Sequence, residues 1–80
     1  MKISEKQAYI NQALAVEKFE PENREKLARV YDAIYDTTKA VDQFISKARQ
    51  GIMFEAEVDE VKKSIDHLKH LSDIRNRLTL

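Results

Sequence analysis

The chain contains no cysteine and no tryptophan, and only one glycine and one proline among its 80 residues. Without cysteine it has neither a disulfide nor a thiolate metal site to reinforce a core this small. Extra burial must therefore come from self-association or from docking on a larger partner. One glycine and one proline supply too little turn chemistry for a set of β-hairpins, so an all-α fold is expected. The single glycine also excludes a glycine-rich phosphate loop. No apolar run approaches the roughly 18 residues that span a bilayer, and Met1-Lys2-Ile3-Ser4-Glu5 does not read as a signal peptide. The expected compartment is the cytoplasm, with no membrane partner. Charge of one sign is not in excess either: fourteen Lys and Arg face fourteen Asp and Glu. Bulk electrostatics thus points to neither nucleic acid nor an anionic surface.

What is present is helical periodicity. From Pro21 to Gln50 the apolar residues Leu27, Val30, Ile34, Val41, Phe44 and Ala48 recur at helical spacings, and Gly51 stands just past the end. Ahead of this stretch, Ser4 is placed to cap a first helix with Gln7 three residues on, the arrangement of a capping box. Tyr9, Ile10, Ala13, Leu14 and Val16 give that helix an apolar stripe, and Pro21 is expected to end it near Phe19. After Gly51 comes the apolar cluster Ile52, Met53 and Phe54, expected to close the hairpin or to form part of a subunit contact. The third helix carries Val58, Val61, Ile65 and Leu68 at the spacing of a packing seam, then Leu71, Ile74 and Leu78 in a shifted phase. The shift either overwinds a coiled coil locally or, as preferred here, turns the stripe toward a second neighbour. Acidic residues load its start and Arg75 and Arg77 its end, both favourable to the helix dipole. The expected architecture is one domain over residues 1–80 with helices at about 4–19, 21–50 and 54–78. They form a long antiparallel helical hairpin with a short N-terminal helix, assembling as an oligomeric bundle.

Groups able to do chemistry are sparse. His67 and His70 lie three apart with Asp66 and Asp73 beside them, but one helix seldom completes a coordination shell. No Ser or Thr stands in a spacing that suggests a base and an orienting third group. The expectation is a protein that is not an enzyme and has no catalytic residue, metal or cofactor. Lys62, Lys63, His67, Lys69, His70, Arg75 and Arg77 make the last helix locally basic. Glu60, Asp66 and Asp73 interleave with them, so direct DNA or RNA binding is not expected. The adjacent Thr37 and Thr38 interrupt the stripe of the second helix, either as a polar step in the seam or as a contact point for a ligand or neighbour.

The aromatics suggest a ligand. Tyr9, Phe19, Tyr31 and Tyr35 sit near Lys18, Lys26, Arg29 and Lys39. Rings that stack a base beside cations that meet phosphate are what a nucleotide pocket uses, although the same spacing also suits core and rim. The pattern Phe19-x-Pro21, Arg29-Val30-Tyr31-x-x-Ile34, Lys39-Ala40 and Ile45, followed by Val58, Val61 and Ile65, resembles the small helical-hairpin phage proteins that counter CBASS and related immunity. That resemblance implies a homo-oligomer that sequesters a cyclic oligonucleotide, with Phe19 before the hairpin, Tyr31 on its first helix and Lys39 a turn or two on. Tyr35 and Lys26 complete the candidate ligand-binding set. Length and composition also look like small helical anti-CRISPR proteins, which implies the alternative of an inhibitor or adaptor that binds a host defence protein through one helical face.

Overall fold

In the computed structural model, residues 2–52 and 54–80 are described. They form α1 (Glu5–Val16), a short 3-10 turn (Pro21–Asn23), α2 (Arg24–Arg49) and α3 (Glu55–Leu78), with no strand among the described residues. Ser4 starts α1 as its sequence predicts: its hydroxyl oxygen accepts the Gln7 amide at 3.1 Å. Gln7 does not complete a capping box. Its side-chain amide turns outward and donates to Asn11 at 2.9 Å.

The first helix ends at Val16, before the expected Phe19. Glu17 is already extended, with φ −88° and ψ 148°. The early exit lets Phe19 fold back onto the core, where burial of its ring outweighs one further helical turn. The crossing segment finds a backbone partner as well, because the Leu80 amide donates to the Lys18 carbonyl at 2.8 Å. Pro21 opens the next element as expected of a residue with fixed φ and no amide hydrogen, but its first turn is 3-10 and the α-helix begins only at Arg24. Asn23 makes no side-chain cap to α2. Its amide nitrogen reaches the Leu78 carbonyl at 3.5 Å.

At the far end Gly51 adopts φ +73°. The Gly51 amide donates to the Ala48 carbonyl at 3.1 Å and the Ile52 amide to the Lys47 carbonyl at 3.2 Å, the paired bonds of a Schellman ending. The chain then reverses into α3, which runs antiparallel to α2. Lys47 meets Glu57 at 3.6 Å near the turn, and further down Thr37 and Ala40 of α2 line one cleft with Ser64 and His67 of α3. Residues at the same level of the hairpin thus have numbers that sum to about 104.

Helix α1 lies antiparallel along the other edge of α2. The Lys6 ammonium sits between Asp32 at 3.3 Å and Asp36 at 3.1 Å, while Ile10 and Leu14 pack lower down against Leu27 and Tyr31. With α1 and α3 on opposite edges of α2, the three helices form a single layer of 45 × 33 × 15 Å. The core gathers at one end of it. Ile10, Leu14, Leu27 and Tyr31 are buried there, with Phe19, Ile34 and Leu78 packed against them. Leu78, the last residue of the shifted stripe of α3, packs against this cluster.

Leu27 is wholly buried, so Leu27→Ala should destabilise the chain by about 3 kcal/mol in chemical denaturation. Gly51→Ala should cost about 1 kcal/mol, because the added methyl meets nothing within 4 Å and only the left-handed backbone opposes it.

Candidate functional site

Of the five residues expected to bind a ligand, the fold brings Phe19 and Tyr31 together in the core and Lys39 onto Tyr35, and leaves Lys26 apart. Tyr31 is 3% exposed; it meets the Tyr9 ring edge-on, with centroids 6.1 Å apart. Phe19 is packed against the same cluster. The Tyr31 ring offers no open face on which a base could stack, and Phe19 is half-buried. Tyr35 is half-buried, with the Lys39 ammonium 5.4 Å from its ring centroid, so this cation already covers the aromatic it was expected to assist. Lys26 is exposed on the same helix, but thirteen residues before Lys39 and so about 20 Å away along the axis. The aromatic set is a core with a cationic rim.

Burial is the main reason why the Tyr31 hydroxyl titrates above its ordinary 10.0, and the nearby Glu17 charge adds to it. Lys6 is raised above 10.5 by its hydrogen bonds to Asp36 and Asp32, in that order. Both groups hold their protons more firmly in the folded state. Their contribution to stability is complete at neutral pH and is lost as pH rises from about 10 through the folded-state values.

Between α2 and α3, on one face of the layer, lies an open cleft of about 320 Å³ lined by Asp36, Thr37, Ala40, Lys63, Ser64 and His67. The Thr37 hydroxyl donates back to the Ala33 carbonyl at 2.8 Å, which satisfies it within the helix. Thr37 thus lines the cleft with its donor already used, while Thr38 is exposed. No three His, Asp or Glu side chains converge as a metal site among the described residues.

The opposite face is apolar. Helical geometry turns about 100° per residue. Ile45, five residues after Ala40, lies about 140° round α2 from the cleft; Val58 and Ile65 lie about 180° and 160° round α3 from His67. Ile45 is 44% exposed, Val58 40% and Ile65 41%. Val41, Val61 and Leu68 lie half-buried beneath this surface. At the tip, Ile52 is 54% exposed and Phe54 73%, so neither closes the hairpin; Met53, expected to share that role, lies outside the described residues. By helical spacing Val58 and Ile65 belong to the same stripe as the half-buried Val61 and Leu68. Their exposure was signalled by length alone, since the hairpin stripes run well past what a twelve-residue α1 can cover.

The chain matches no family model, no curated protein and no solved structure. Among the described residues no helix is long and apolar enough to cross a membrane.

The midpoint of denaturant unfolding should fall between pH 9 and pH 11, and Tyr31→Phe should flatten part of that fall by removing the phenol. An unchanged alkaline slope in the variant would show that Tyr31 does not contribute to it.

Proposed function

We propose that this is a non-enzymatic interaction protein of the inhibitor or adaptor type, which works by docking the apolar face of its distal hairpin on another polypeptide. The observation that carries this reading is the exposure of Ile45, Val58 and Ile65 on one face of the distal hairpin, with Ile52 and Phe54 at its tip. The other exposed large hydrophobics, Ile3, Val16 and Leu80, stand at the two ends of α1 and after α3. Only six hydrophobic side chains are buried among the described residues, and all belong to the other end or the middle. Contiguous apolar surface of this kind marks a contact site. The quantity of surface supports the reading too. A compact monomer of 9.3 kDa exposes about 5,000 Å², whereas this chain exposes 6174 Å². The excess is comparable with the roughly 800 Å² that one partner contributes to a stable interface.

A second reading is sequestration of a cyclic oligonucleotide by a phage-type counter-defence protein, supported by the Tyr35–Lys39 pair at the surface. The most exposed aromatic, Phe54, stands at the hairpin tip, well away from that pair, so the interaction reading takes precedence.

Replacing Val58 and Ile65 together by Lys should change the unfolding free energy of dilute protein by less than about 0.5 kcal/mol per site. A loss of several kcal/mol would show that the face already packs inside the chain and would remove the proposal. Calorimetry with a panel of cyclic di- and trinucleotides should give no heat of binding. Tight binding that Tyr35→Ala or Lys39→Ala weakens would put the sequestration reading in its place.

A further inference from the structure

We infer that the polypeptide covering this face is a second copy of the chain, rotated by 180° about an axis parallel to the hairpin, so that two hairpins close an antiparallel four-helix bundle. The inference rests on the interaction reading above and names its partner.

It is carried by the charges on the two outer edges of the hairpin. Beyond the reach of α1, the free edge of α2 presents Lys39, Asp42 and Arg49; the free edge of α3 presents Glu55, Lys62 and Asp66. All six are exposed, and among the described residues none is in an ion pair. Levels along the hairpin follow the sum of about 104 set by the Lys47–Glu57 contact and matched by the cleft lining of Thr37 and Ala40 with Ser64 and His67. Asp42 is thus level with Lys62, Arg49 with Glu55, and Lys39 with Asp66. Positive, negative and positive on one edge meet negative, positive and negative on the other, and the further carboxylate on the α3 edge, the exposed Asp59, falls about level with the uncharged Ser46 of α2.

Within one chain these edges point away from each other across two helix diameters, each about 10 Å, so the pairs cannot form. Rotation about an axis parallel to the helices preserves level and exchanges edges. It stacks α2 of one copy on α3 of its partner, antiparallel, and brings every one of these opposite charges together twice. Such a contact is isologous, as closed dimers are. Between the flanking charges it buries Val41, Ile45, Val58, Val61 and Ile65 from both copies, in the manner of a four-helix bundle seam. A rotation about an axis across the helices reverses level instead and sets Asp42 against Asp42, which like-charge repulsion opposes.

Sedimentation equilibrium of the full chain tests this. The wild type should reach twice its monomer mass at micromolar concentration. Ile65→Asp should weaken the dimer at least a hundredfold while helicity by circular dichroism is retained. Asp42→Lys and Lys62→Asp should each weaken it about tenfold, and the double variant should return to within about threefold of wild type. Arg49→Glu with Glu55→Arg provides an independent pair should the first lose helicity. A monomer at every concentration overturns the two-copy proposal and leaves the interaction reading standing, because that reading depends only on the face being unpacked. A dimer broken by Ile65→Asp but showing additive charge effects overturns the proposed arrangement. A large loss of monomer stability in Ile65→Asp would instead defeat the interaction reading itself.

Discussion

The structure depends on one packing contact, the seating of Ile10 and Leu14 of α1 against Leu27 and Tyr31 of α2. A twelve-residue helix is marginal alone and forms because this apolar face is taken out of water. In return it gives α2 a second covered edge over its first half. Everything downstream of about Asp36 has only α3 beside it. Two helices in one layer can bury the seam between them but not their upper and lower faces, so the far half of the hairpin remains wet on both sides.

Charge is distributed to suit this arrangement. At the covered end Lys6 bridges Asp32 and Asp36, tying α1 to α2 at the last level α1 reaches. Near the turn, Lys47 and Glu57 meet across the hairpin, and the second carboxylate oxygen of Glu57 is buried without a partner among the described residues. The apolar face between these two points carries no charge of its own. Its charges stand at the edges, where they can select a partner's orientation without being desolvated at the centre of a contact.

Much of the fold was legible in the sequence because its signals are local. Helical spacing, Ser4 at one start and Gly51 at one end describe the elements without reference to anything distant. The boundary of α1 was not legible. Pro21 constrains only Glu20, whereas the decision to leave the helix at Val16 was made by the burial of Phe19 and by Leu80 reaching back to Lys18. The candidate site was less legible still. A tyrosine that stacks a ligand and a tyrosine that fills a core have the same spacing, and only the placement of α1 decides that Tyr31 is covered. The exposed Ile45, Val58 and Ile65 look identical to seam residues until the number of neighbouring helices is known.

The bond from the Leu80 amide to the Lys18 carbonyl has a kinetic consequence. It closes a loop of 62 residues, against ten for the Lys47–Glu57 contact at the tip. With closure entropy growing as the logarithm of length, the larger loop costs about 1.6 kcal/mol more. The poorly buried end of the molecule is therefore the easier to form, and the well-buried end is the harder to assemble, so the two gradients run in opposite directions along the same pair of helices.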